Sequence, residues 1–147
     1  MAISQQVDTD LKAALKARDQ AKTSCLRLIK AAFNHRAKEL KRDLEQEEEI
    51  KILGTLAKQR RDSIEQFTKG GRQDLADKEK AELALIELYL PAQLDEAGLN
   101  AVLDEVFAEI QPQSAKDMGQ VMKAAMARLQ GQADGKLVSQ LVRQRLQ

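Results

Sequence analysis

The sequence predicts an all-α fold: an N-terminal bundle of about four helices followed by a small three-helix tail domain. Three observations carry this reading. Apolar residues recur at steps of three and four through most of the chain, and no strand-like alternation appears. Hydrophobic residues make up 43% of the 147 but aromatics only 3%, so the core must be built from Leu, Ile, Val, Ala and Met. With 32% charged residues and two prolines, that balance suits a helical protein. Helix-ending residues then fall between the periodic stretches, at Gly70-Gly71, Pro91, Pro112 and Gly131.

Each element follows from its spacing. Ile3, Val7, Leu11 and Leu15 define one face of a short first helix ending near Arg18. A second helix from about Gln20 to Lys41 carries Leu26, Ile29, Phe33, Ala37 and Leu40 on its stripe. Asp43, with Gln46 three residues on, offers an N-cap for a long third helix from about Leu44 to Lys69. Its stripe of Ile50, Leu53, Ala57, Arg60, Ile64 and Phe67 has heptad-like steps, suited to packing along another long helix. Gly70-Gly71 stops it, Asp74 can cap the fourth helix, and Leu75, Leu83, Ile86 and Leu90 are its apolar positions. Tyr89 to Leu94, with Pro91 inside it, is the natural boundary, giving domains 1–92 and 93–147. Beyond it Asp95 opens a helix with Leu99, Leu103, Val106 and Ile110 facing inward. Ser114 with Asp117 makes a capping-box pattern for a helix bearing Met118, Val121, Met122, Ala125 and Leu129. Asp134 can cap the last helix, with Leu137, Val138, Leu141 and Val142. The 55 residues of the tail are few for an independent core, so that unit is expected to be marginal or to lean on the first.

Several chemistries find no support. Cys25 is the one cysteine, so neither an intramolecular disulfide nor a cysteine zinc site can form; among Leu26, Leu28 and Ile29 it reads as a small buried apolar residue. His35, beside Arg36, has no nucleophile or second ligand in a recognisable pattern and reads as a surface residue. Glu45, Glu47, Glu48 and Glu49 cluster at a helix start, where the macrodipole favours carboxylates, rather than converging on a metal. Neither a catalytic group, a cofactor nor a metal is expected. The first residues lack the basic and apolar regions of a signal peptide, and no apolar run is long enough to span a bilayer, so a cytoplasmic protein without membrane association is expected. Net charge is +1, with 18 basic and 16 acidic residues through Ala92 and 6 and 7 after it, which argues against binding DNA by bulk electrostatics.

Two places invite a binding reading. Lys136 lies in the first turn of the last helix, where a cation opposes the macrodipole but would add charge to a ready anion site. Lys116, Gln120 and Lys123 fall on one side of the preceding helix, opposite its Met/Val stripe, and with Lys136 form a candidate set of phosphate contacts. The plain alternative is solvated lysines, with Asp134 neutralising the field at Lys136. No aromatic platform exists there for stacking bases, so RNA contact would be by shape and phosphate. Arg60 and Arg61 are a weaker pair of candidates for a partner or phosphate; Arg60, on an apolar stripe, could equally pair with a carboxylate of a facing helix.

Five separated stretches, in order, carry a family resemblance: Lys58–Phe67, Gly70–Leu75, Glu87–Leu94, Asp117–Met122 and Gly131–Val138. Together they make the chain resemble the stand-alone YqeY-like proteins of the GatB/YqeY family over essentially its whole length. It is also similar to the C-terminal helical and tail region of the B subunit of glutamine-dependent tRNA amidotransferase. The resemblance implies a helical domain with a three-helix tail and, through the amidotransferase, a tRNA-contacting appendage apart from the catalytic cradle. On this chain the matching positions are Gly119 to Lys123 and the turn Gly131 to Val138 with Lys136. Ser139 stands where the pattern has asparagine, and Asp134-Gly135 where the amidotransferase tail has an Asn-Pro-like turn.

The functional expectation is a binding module for tRNA or a tRNA-linked, translation-related complex, without catalysis of its own. One alternative is an accessory component of a carbon–nitrogen ligase, an amidotransferase using glutamine as amido-N-donor, since the resemblance implies that activity by association. Another is a protein–protein adaptor, to which the balanced charge is suited.

Overall fold

The computed structural model describes residues 2–147. It is all-α: seven α-helices and one 3₁₀ turn, with no strand among the described residues. The chain divides into two compact units, Met1–Leu90 and Pro91–Gln147.

The first unit contains α1 (Ile3–Lys16), α2 (Gln20–Leu40), α3 (Gln46–Lys69) and α4 (Gln73–Glu87). Its core gathers Val7, Leu11 and Ala14 from α1, Cys25, Leu26, Ile29 and Phe33 from α2, and Leu53 and Ala57 from α3. Ile86 of α4 and Leu90 complete it. Leu15 does not join them; it is 47% exposed. Strict steps of four drift around a helix of 3.6 residues per turn. The buried line therefore passes from Leu11 to Ala14, and Leu15 rotates outward.

Helix starts differ from expectation in two places. The cap of α3 is Glu45 rather than Asp43: the Glu45 N–H donates to the Glu48 carboxylate at 3.0 Å. Arg42 moves the start downstream by donating both to the Asp43 carbonyl, at 2.9 Å, and to Glu48, at 2.7 Å. Its guanidinium holds the Glu48 carboxyl below its ordinary range. Asp74 lies inside the first turn of α4, chelated by Arg72, and does not cap it. Glu49, one of the carboxylates clustered at the start of α3, is 2% exposed. Its Oε2 accepts the Ser4 N–H at 2.7 Å, so a carboxylate of α3 satisfies a donor at the start of α1. The stop at Gly71 is as expected: φ of +74° turns the chain left-handed, and the Arg72 N–H reaches back to the Phe67 carbonyl at 2.8 Å.

Polar groups also knit the first unit. Tyr89 donates its hydroxyl to Asp10, and burial, then that carboxylate, pushes its pKa upward. Arg60 of α3 lies 2.8 Å from Glu82 and 3.5 Å from Glu79, both on α4, with its side chain 14% exposed. Arg61 meets Glu87 at 3.1 Å. Cys25 is 1% exposed, and its pKa is pushed up to about 11, chiefly by burial and then by Glu82.

The second unit contains α5 (Glu96–Ile110), a 3₁₀ turn (Ala115–Asp117), α6 (Met118–Leu129) and α7 (Gly135–Leu146). Leu99, Leu103 and Val106 pack with Val121, Ala125 and Leu129 and with Val138, Leu141 and Val142. Asp95 caps α5 through the Gly98 N–H at 2.8 Å, as the sequence suggests. Leu137, at the start of α7, is 38% exposed and stays outside the core.

Replacing Glu49 by alanine removes the acceptor for the Ser4 N–H and is expected to cost about 1–3 kcal/mol in urea unfolding. An unchanged midpoint would show that water serves that donor equally well. Cys25 is expected to react with a thiol reagent at pH 8 at least about a hundredfold more slowly in the native protein than in denaturant. Equal rates would place the thiol on the surface.

Candidate nucleic-acid interface

The α6–α7 turn is built by two successive left-handed residues, Gln130 at φ +42° and Gly131 at +83°. It is tied down by the chain entering the unit. The Leu94 N–H donates to the Gln132 carbonyl at 2.8 Å, the Gln93 amide to the Gly131 carbonyl at 2.8 Å, and the Gln132 amide to the Ala92 carbonyl at 3.4 Å. Gln93 and Gln132 escape a sequence reading, because nothing in a glutamine's neighbours distinguishes a turn clamp from a solvated side chain.

That clamped turn delivers α7. Asp134 accepts the Lys136 N–H at 3.1 Å, so a carboxylate already serves the helix start that was expected to be a ready anion site. Lys136 is itself exposed. Ser114 caps the 3₁₀ turn through the Lys116 N–H at 3.3 Å rather than α6 directly. Asp117 accepts the Gln113 N–H at 2.8 Å. Lys116 therefore stands in the turn before α6, with Gln120 and Lys123 on α6 proper, and all three are exposed. A side chain at Gly119 would meet nothing within 4 Å, so packing does not require that glycine.

Two further residues extend the set. Gln140 and Arg143 of α7 are exposed at four and seven residues beyond Lys136, the spacing that puts side chains on one helix face. The spacing cation-x3-Gln-x2-cation therefore occurs twice, at Lys116-Gln120-Lys123 and at Lys136-Gln140-Arg143. That repetition is the sequence signal that finds Gln140 and Arg143.

The unit's other arginines are spent internally. Arg128 bridges Glu105, at 3.0 Å, and Glu109. Arg145 lies 5.3 Å from the Phe107 ring centre, 2.7 Å from Asp104, and donates to the Asn100 carbonyl and side-chain oxygens at 3.1 Å. Lys116, Lys123 and Arg143 have no carboxylate partner among the described residues.

In the first unit, Arg60 and Arg61 are both held by carboxylates of α4, the pairing that the apolar stripe allowed. His35 is exposed and lies 2.8 Å from Glu39. Among the described residues no group of three or more His, Cys, Asp or Glu side chains is placed to hold a metal ion, and no helix is long and apolar enough to cross a membrane.

Comparison with known proteins places this architecture. The family model described as "Yqey-like protein" matches residues 4–146. The mitochondrial protein named Altered inheritance of mitochondria protein 41 is similar in several yeasts. The one from Lachancea thermotolerans is 32% identical over 105 residues, 69% of this chain and 56% of its own length. The one from Vanderwaltozyma polyspora is 38% identical over 87 residues, 55% of this chain and 44% of its own. A glutamyl-tRNA(Gln) amidotransferase polypeptide from Thermococcus sibiricus is 37% identical over 73 residues, 47% of this chain but 12% of its own length. The chain thus spans about half the length of the mitochondrial relatives and a small part of the amidotransferase polypeptide. Because the family match runs through both helical units, the chain belongs to the family of YqeY-like proteins.

Proposed function

We propose that this chain is a binding module that contacts tRNA, or a tRNA-linked complex, through phosphates and without catalysis of its own, in the cytoplasm. The observation that carries the reading is the pair of exposed cation–amide–cation sets, one running from the 3₁₀ turn into α6 and the other on α7. Lysine, arginine and glutamine are donors that position a protein on a nucleic-acid backbone without reading bases. The local similarity to part of a glutamyl-tRNA(Gln) amidotransferase supports tRNA as the nucleic acid. The second unit holds six basic and seven acidic residues, so the contact is a local patch and its affinity is modest and salt-sensitive.

The amidotransferase similarity also favours a second reading, an accessory part of a carbon–nitrogen ligase that takes its amide from glutamine. That reading requires a catalytic partner. It is tested by adding the chain to a purified amidotransferase and measuring glutamine-dependent amidation of tRNA-bound glutamate. An unchanged rate removes it.

For the binding reading, Lys123→Ala with Lys136→Ala should weaken binding of deacylated tRNA and lower the salt slope by about 0.7–0.9 per lost phosphate contact. Helical circular dichroism should not change. Affinity and slope equal to those of the unaltered protein would remove the α6–α7 surface from the interface.

A further inference from the structure

Charge in the first unit is segregated along the chain. From Leu11 to Arg42 there are ten lysines and arginines against two carboxylates, Asp19 and Glu39; from Asp43 to Ala92 there are eight against twelve. In the second stretch five of the eight, Arg60, Arg61, Lys69, Arg72 and Lys80, each lie against a carboxylate. In the first, Lys30 is 3.0 Å from Asp8, Arg36 is 2.9 Å from Glu39 and Arg42 is 2.7 Å from Glu48. Lys12, Lys16, Arg18, Lys22 and Arg27, all exposed, have no carboxylate within 4.0 Å among the described residues.

Those five cations are near in space because the chain reverses between α1 and α2 within three residues. Val7, Leu11 and Ala14 of α1 pack with Leu26, Ile29 and Phe33 of α2, the Asp8–Lys30 pair joins the two helices as an antiparallel hairpin at the surface, and the turn brings their cations together. At that tip lies an open cleft of about 440 Å³, lined by Leu15, Arg18, Gln20, Thr23, Ser24 and Arg27. Two arginines, a threonine, a serine and a glutamine are among its lining residues, and no acidic residue is. The nearby Asp19 carboxylate is engaged by the Lys22 N–H at 3.1 Å as the cap of α2.

Crowded like charges repel and cost the folded state free energy. The α3–α4 pairs show that this fold can neutralise its charges, yet the hairpin tip does not. We propose that the tip is a second RNA-binding surface, holding a phosphodiester backbone in the Arg18–Arg27 cleft with Lys12, Lys16 and Lys22 around it. Guanidinium, hydroxyl and amide donors are the set that contacts phosphate and sugar. With no aromatic in the lining, the cleft has no platform on which a base could stack. A membrane surface fits less well. The exposed apolar area nearby is limited to Leu15 and Leu28, which is little for an interfacial helix. The surface uses residues separate from those of α6 and α7 and rests on the function proposed above only for the identity of the polyanion.

The test is fluorescence anisotropy of labelled deacylated tRNA with the full chain, titrated with salt from about 50 to 200 mM. Lys12→Gln/Arg18→Gln/Arg27→Gln is the tip variant, and Lys123→Ala/Lys136→Ala the tail variant. The tip variant should bind about tenfold or more weakly, with a salt slope lower by about two to three. Thermal melts should confirm folding, and Arg18→Lys/Arg27→Lys should retain most of the affinity. A tip variant that binds like the unaltered chain overturns the proposal, and if the tail variant alone loses binding, the α6–α7 reading stands without it. Loss in the tip variant alone supports the tip and removes the tail. Absence of tRNA binding at low salt overturns both. Sedimentation with phosphatidylserine vesicles in that case assigns the tip to an anionic lipid surface.

Discussion

Arg60 carries a full charge on the apolar stripe of α3, and the first unit is arranged around what that guanidinium requires. Glu82 and Glu79 approach from α4, and the Cys25 thiol of α2 reaches the Glu82 carbonyl at 3.9 Å. Three helices therefore converge on one polar point inside an aliphatic seam. Leucine and isoleucine contacts stabilise many nearby registers almost equally. A charge does not: sliding α4 by one residue would carry both carboxylates away and leave a half-buried guanidinium unpaired, at a cost of several kcal/mol. The aliphatic side chains supply the bulk of the stabilisation, and the ion pair selects the register in which they meet.

Arg145 plays the corresponding part in the second unit, resting on Phe107 and donating to Asn100 and Asp104 of α5. Both arginines answer the same shortage. With 3% aromatic residues, the chain has few large side chains to fill helix seams, and a long arginine stem adds buried area while its fork fixes direction. Lysine is more strongly hydrated and lacks the fork, so it suits pairing inside a seam less. The cations at the helix seams are accordingly arginines. Arg60, Arg61, Arg128 and Arg145 are consumed in holding helices together, while Lys12, Lys16, Lys22, Lys116 and Lys123, with Arg18, Arg27 and Arg143, stay in water. What the fold does not use is what a polyanion can meet.

The all-α class and the membership in the YqeY-like family were legible because they rest on redundant signals. Each helix offers several apolar positions, and a wrong one such as Leu15 changes no element. Caps were legible where a short acceptor stood alone before an apolar run, as at Asp95 and Asp134. They were not where a tertiary partner intervened. Arg42 decides between Asp43 and Glu45 by bonding to Glu48, and Arg72 occupies Asp74. The burial of Glu49 was not legible for the same reason. Its neighbours in sequence are acidic and solvated, but its hydrogen-bond partner, Ser4, lies 45 positions away. A local pattern holds no record of such a contact.

The candidate surfaces were harder to see, and the cause is one of scale. Net charge summed over the first 92 residues nearly cancels, with 18 basic against 16 acidic, and suggests an unpolarised domain. Electrostatic influence in physiological salt, however, decays over roughly 8–10 Å. That is about the width of one helix, far less than the reach of a four-helix unit. The sum that matters is therefore taken over a hairpin. On that scale the chain is strongly basic from Leu11 to Arg42 and acidic from Asp43 onward. A ligand approaching the α1–α2 tip meets the basic stretch first. The near-neutral total then reflects two opposed local fields, and it is no argument against a polyanionic partner.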